Sequence, residues 1–180
     1  MSIMEALQNN LDAKAKQYKD PALMHIFLMN NINYIVKYVG RSEAKNLLGD
    51  DWIQRHRGIV QRNTYQYRMV GWSKVLQCLS FESHSGTVSR TVVKERFRSF
   101  NVLFGEIYEK QCGWSVPDSE LRESLRIAVA EILLCAYRSF KMHFGCLIDS
   151  GRAPEKYIKH TPEQLELLLY DLFEGKQESS

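Results

Sequence analysis

Apolar positions recur along this chain at spacings of three and four residues, and no stretch sustains the two-residue alternation of a strand. The pattern predicts helices throughout. Met4, Leu7 and Leu11 mark the first, within residues 1–17. Asp20 followed by Pro21 is a start signal. The carboxylate accepts from the unpaired N–H groups of a first turn, and proline in the first helical position loses no hydrogen bond. The segment behind it has a wide apolar face supplied by Leu23, Phe27, Leu28 or Ile32, Ile35 and Val39, with Gly40 placed to end it. Asn30 and Asn31 sit mid-segment, placed either to bond a neighbouring helix or to face solvent.

Ser42 opens a short helical turn, Gly49-Asp50-Asp51 punctuates it, and a long helix follows from Asp51 to about Leu79. Residues 81–89 are polar, contain glycine and have no period, which predicts a loop. Ser89 caps the next helix, whose stripe is Val93, Phe97, Phe100, Leu103 or Phe104, and Ile107. Asp118 caps a central helix reaching Leu147. From Ile127 to Tyr137 this helix is apolar at every position except Glu131, which predicts that other elements surround it. That run spans roughly 16 Å of helix, against the twenty or so residues that a bilayer needs. A connection containing Gly151 and Pro154 leads to Thr161-Pro-Glu-Gln, a capping box opening a last helix with Leu165, Leu168, Leu169 and Leu172 or Phe173 on its apolar face. The fold class is all-α, in two bundles: 1–80, then 81–175, with 176–180 a disordered tail.

A chain of 180 residues buries enough surface to hold a core without disulfides. Cys78, Cys112, Cys135 and Cys146 have no paired spacing, and the five histidines are scattered, so neither zinc nor any other cofactor is expected. The thiols read as reduced and mostly buried, in a cytoplasmic protein. No targeting pattern precedes the first helix, which suggests a cut from a longer chain or a short natural form. The net charge is +3, but residues 161–180 hold five acids against Lys176, so the positive charge lies upstream. Residues 138–160 are the basic stretch: Arg138, Lys141, Arg152, Lys156 and Lys159 against Asp149 and Glu155. On charge alone these cations either meet an anionic partner or simply solvate the end of a bundle.

No phosphate loop, zinc-protease pair or nucleophile elbow is present, and neither Cys78 nor Cys146 has an identifiable histidine partner. Glu131 is the one ionisable residue set inside the apolar run; such a glutamate either pairs with an arginine or lies on a helix's solvated line. The chain reads as a non-enzyme. Arg55 to Arg68 interleaves cations with aromatics, but Trp52, Tyr65 and Tyr67 are spaced for packing, which argues against nucleic acid.

Several runs resemble the plant-type branch of the exocyst seventy-kilodalton subunit family: YKDPALMHIFLMNN (18–31), LLGDDW (47–52), WSKVLQCL (72–79), VVKERFRSFN (92–101), VPDSELRESLRIAVAE (116–131), AYRSF (136–140) and PEKYIKHTPEQLE (154–166). They follow in order over almost the whole chain. The resemblance implies antiparallel helical bundles stacked end to end, the C-terminal part of an elongated rod. It implies a tether of secretory vesicles, peripheral at the plasma membrane, that binds anionic phosphoinositides and other exocyst subunits. Small GTPases and, in plants, pathogen effector proteins are further partners it implies. The family's KYIK lysines match Lys156 and Lys159, and its KERF lysine matches Lys94. Lys141 and Arg152 join these as head-group candidates on charge and position. The rival reading is a protein-recognition module, an effector target or a bait integrated in an immune receptor, without lipid binding.

Overall fold

The computed structural model of the chain describes residues 2–80 and 88–175; the predicted loop, for the most part, and the predicted tail lie outside these residues. Among the described residues six α-helices follow in order: α1 (Ile3–Ala15), α2 (Pro21–Arg41), α3 (Ala44–Leu79), α4 (Arg90–Cys112), α5 (Ser119–Asp149) and α6 (Pro162–Leu169), with a 3-10 turn at Pro154–Lys156. The fold is all-α. Among the described residues the β pairing is one isolated antiparallel bridge, Ser115 with Glu174.

Local chemistry sets most helix starts. The Asp20 carboxylate accepts from the Ala22 and Leu23 amides at 2.8 and 3.2 Å. Ser89 accepts from Val92, and Thr161 and Gln164 bond one another's amides reciprocally. Ser2 and Glu5 form a further capping box at the head of α1. Within α3, Gly49 has φ 80° and ψ 165°, a left-handed conformation that a side chain resists, so the helix breaks there before Asp51. Gly40 lies inside α2, which runs on to Arg41 and is capped by Ser42.

Two compact units make up the chain, and no single cut in sequence separates them. The first takes the chain up to Gly71 together with Val116–Leu125; the second takes Trp72–Ser115 and everything from Arg126 onward. In the first unit Leu11, Ile32, Val36, Val39, Trp52 and Ile53 form the core. The buried line of α2 is Ala22, Ile26, Met29, Ile32, Val36 and Val39. It is offset from the expected stripe, of which Leu23, Phe27, Leu28 and Ile35 are half-buried. Asn31 donates to the Phe27 carbonyl of its own helix at 2.8 Å, neither bridging to a neighbour nor left to solvent. The start of α5 is tied to α2 by Lys37, whose ammonium lies 2.6 Å from Asp118 and 2.5 Å from Glu120. Those two carboxylates raise the Lys37 pKa. Burial pushes the Asp118 carboxyl up, but Lys37 and the Leu121 amide outweigh it and hold it below its usual value.

In the second unit α4 buries Val93, Phe97, Phe100 and Phe104, so Phe104 rather than Leu103 completes its stripe. Phe97 packs edge-on to Phe140 and Tyr137, and Trp72 reaches Phe104. The central helix is less enclosed than its composition suggested. Ile127 is 51% exposed, and Glu131 and Cys135 are exposed with it, so the glutamate lies on a solvated line. The expectation of buried thiols is likewise corrected. None of the four cysteines is in a disulfide, and Cys135 and Cys146 are exposed and Cys78 and Cys112 half-buried, because their positions fall off the apolar stripes of their helices. α6 ends at Leu169, and Leu172 and Phe173 are buried from the turn that follows. Among the described residues no helix is long and apolar enough to cross a membrane.

Candidate functional site

The basic stretch is organised by α4. Arg90, Lys94, Arg98 and Asn101 recur at intervals of four, four and three, which places them on one line of the helix. Beside that line the chain returns from α5 and runs in the same direction as α4. Gly151 meets Arg90, Tyr157 meets Lys94, Arg98 and Asn101, His160 meets Phe104, and Asp171 accepts from the Tyr108 hydroxyl at 2.8 Å. Gly151 leaves room for this approach, although the long Arg90 side chain could give way to a Cβ. A Cβ there would collide with the Arg90 guanidinium and lie 3.1 Å from the Ile148 carbonyl.

The connection then turns sharply. Ala153 adopts φ 53°, left-handed for a residue with a Cβ, and Pro154 opens the 3-10 turn with its carbonyl accepting from Tyr157 and Ile158 at 3.0 Å. Lys156 closes that turn and is exposed, as is Lys159 three residues on. Between them Tyr157 points inward, only 9% exposed. The Lys94 ammonium stands 5.0 Å from its ring centroid and the Arg98 guanidinium carbon 4.9 Å, both in cation–π range. Glu95, the acid next to Lys94 in sequence, pairs with Arg98.

The structure thus brings Lys94 to the segment that carries Lys156 and Lys159. Arg152 is exposed in the bend after α5. Lys141 is half-buried on α5 and belongs to a different neighbourhood: with Arg138 it acts on Glu163 of α6. The Glu163 carboxyl is held below its usual range by the α6 backbone amide first and by Thr161 next, with those two cations adding to both. Sequence reasoning missed Arg90, Arg98, Asn101 and Tyr157. The four-residue spacing of Arg90, Lys94 and Arg98 was a usable signal; the inward tyrosine left none. Among the described residues no three His, Cys, Asp or Glu side chains are grouped to hold a metal ion.

His160 ends this segment. Its carbonyl accepts from the Tyr137 hydroxyl at 2.6 Å, and its ring lies 5.9 Å from that of Phe104. Burial pushes the Tyr137 hydroxyl up to about 12, so it stays a donor at any ordinary pH. Burial first, and the adjacent Lys159 charge second, lower the His160 pKa below 6.5. Below 6.5 the unfolded chain therefore takes up a proton that the folded chain resists, so stability falls as pH drops through that window and is intact above it. Urea midpoints measured at pH 7.5 and pH 5.5 are expected to fall with acidification in the wild type and to fall less in His160→Gln.

Fold and basic turn together define an all-α scaffold that carries cations on a segment held along one helix. The chain belongs to the family described as the C-terminal part of the Exo70 subunit of the exocyst complex, which matches residues 1–171. It is 59% identical to exocyst complex component EXO70A1 of Arabidopsis thaliana, over 98% of this chain and 30% of that protein. It is 33% identical to human exocyst complex component 7, over 96% of this chain and 25% of that protein. A chain solved among the structures of exocyst subunit Exo70p and the Exo84p C-terminal domains matches with a TM-score of 0.71 and 25% identity, over 84% of this chain and 29% of its own. The crystal structure of S. cerevisiae Exo70p matches with a TM-score of 0.68 at 23% identity, over 85% of this chain and 26% of its own, a likeness of fold alone. The chain spans about 30% of the length of its Arabidopsis relative. The family is one of exocyst subunits, not of enzymes.

Proposed function

We propose that this chain is the membrane-contacting part of an exocyst subunit, tethering secretory vesicles by binding anionic phosphoinositide head groups at the plasma membrane. The observation that carries the reading is the pairing of two exposed lysines, Lys156 and Lys159, on a segment that α4 holds through the inward Tyr157. Arg152 is exposed on the same connection and adds charge, and Lys94 supports the segment from behind. Lys141, half-buried on α5, contributes at the margin. Other exocyst subunits are the expected protein partners, with small GTPases beside them, and the protein is peripheral from the cytoplasmic side.

Each Lys or Arg near an anionic leaflet contributes about 1 kcal/mol. Three or four such contacts amount to roughly millimolar attachment. One copy therefore binds weakly, and stable recruitment comes from several subunits engaging the same membrane. In liposome co-sedimentation with phosphatidylinositol bisphosphate, the wild type is expected to bind in a salt-sensitive manner. The Lys156→Glu/Lys159→Glu pair loses two attractions and adds two repulsions. Binding should fall by roughly three decades, to background. Wild-type binding absent, with the helical circular dichroism spectrum intact, would sink the lipid reading.

A second reading has its own observation. Within the second unit, Lys74, Cys78, Val92, Arg96 and Leu103 line an open groove of about 640 Å³ between the end of α3 and the start of α4. Val92 is 45% exposed there, and on this reading the groove receives a protein partner, as an effector target or an immune-receptor bait. A partner that binds the lysine-reversed variant as well as the wild type would favour this reading.

A further inference from the structure

The residue between the two exposed lysines is held by the bundle at its ring, its hydroxyl and its backbone. Lys94 and Arg98 lie 5.0 and 4.9 Å from the centroid of the Tyr157 ring, and Arg98 Nη2 donates to its hydroxyl oxygen at 3.3 Å. Asn101 Nδ2 donates to its backbone carbonyl at 2.8 Å. Three residues later Tyr137 donates to the His160 carbonyl at 2.6 Å. Both ends of the stretch 157–160 are therefore anchored, while Lys156 and Lys159 remain exposed. A backbone held in this way keeps the bases of the two lysines at a set separation.

Two kinds of anionic surface place different demands on such a pair. A bilayer whose charge is spread over many single-phosphate lipids responds to the number of cations near it. A head group with several phosphates on one ring rewards cations whose backbone already stands at a matching separation, because less ordering cost remains to be met on binding. We propose that Tyr157, held by Arg98 and Asn101, is the positioning residue of the lysine pair and makes the site prefer a clustered, multiply phosphorylated head group over equal charge spread across a bilayer. The inference rests on the lipid reading above. It also gives Lys94 a definite place, as part of the hold on the ring.

The test sediments the whole 180-residue chain with two vesicle sets of equal total charge, one carrying phosphatidylinositol bisphosphate and the other phosphatidylserine alone. Wild type is compared with Tyr157→Phe, Tyr157→Leu and Asn101→Leu, none of which alters a charge. The wild type is expected to prefer the bisphosphate set by roughly tenfold, the weight of fixing the backbone of about one residue in advance. Tyr157→Phe keeps the ring and the preference. The two leucine variants keep the phosphatidylserine binding and lose the preference. Circular dichroism and urea midpoints identify a variant that fails to fold, and Asn101→Leu, at a half-buried surface position, carries the test if Tyr157→Leu is lost. A wild-type preference that persists in the folded leucine variants overturns the proposal and leaves the lipid reading standing. Equal wild-type binding to both sets overturns it as well, whereas wild-type binding to neither removes the lipid reading itself.

Discussion

Replacing Phe97 by alanine is expected to cost the second unit about 3–5 kcal/mol. The side chain is wholly buried on α4, with its ring 5.1 Å from Phe140 and 6.4 Å from Tyr137, both edge-on. Truncation removes the transfer energy of the ring and leaves a void walled by two other rings. Those rings are themselves held, Tyr137 through its bond to the His160 carbonyl, so the space has little freedom to collapse. Against a domain stability of roughly 5–15 kcal/mol, such a loss lies near the limit of folding. Urea unfolding followed by near-ultraviolet circular dichroism measures it, with Val102→Ala, at a position 60% exposed on the same helix, as a control expected within about 0.5 kcal/mol of wild type. A Phe97→Ala loss below about 1 kcal/mol would mean that this core is not packed as described.

The second large effect is expected at Arg126. Its Nε and Nη2 donate to the Leu172 carbonyl at 3.1 and 2.7 Å, and Nη2 also meets Glu174 at 2.5 Å. The side chain is 11% exposed, Glu174 more so, and the carbonyl bonds therefore count for more than the ion pair. They hold the chain where Phe173 takes φ 67°, a left-handed conformation that costs a bulky residue about 1–3 kcal/mol. Burial of the Phe173 ring and the bonds from the Phe173 and Gly175 amides to Gln111 and Trp114, at 3.1 and 2.9 Å, complete the clasp. Arg126→Ala is expected to lower stability by about 2–3 kcal/mol, the scale of hydrogen bonds from a charged donor. Hydrogen exchange at the Phe173 and Gly175 amides should accelerate correspondingly. Arg126→Lys keeps the charge but not the planar fork, and should fall between the two. Unchanged exchange in Arg126→Ala would refute the clasp.

Much of the fold was legible because helix starts are local events. Asp20-Pro21, Ser89 and Thr161-Pro-Glu-Gln each satisfy backbone amides two or three residues away, so the order of residues alone reveals them. Registers were harder. α2 carries apolar side chains around most of its circumference, so Leu23, Phe27 and Ile35 served the expected stripe as well as Ile26, Met29 and Val36 serve the observed one. Periodicity cannot choose between faces when both are apolar. The same limit explains Ile127 and Cys135, which a nearly all-apolar run placed inside and the structure places in solvent.

The amino-acid order by itself determined the helical class, the starts of most helices, the break at Gly49 and the concentration of positive charge upstream of residue 161. These depend on φ/ψ preference, capping and composition, all of which act over a few residues or none. Only the tertiary structure decided that Lys94 stands beside the segment of Lys156 and Lys159, and that Arg98 and Asn101 hold Tyr157 between those lysines. Those pairs are more than twenty residues apart in the chain. Their meeting depends on how α4 packs against the returning connection, an arrangement that buried area and steric fit select and that no local pattern encodes.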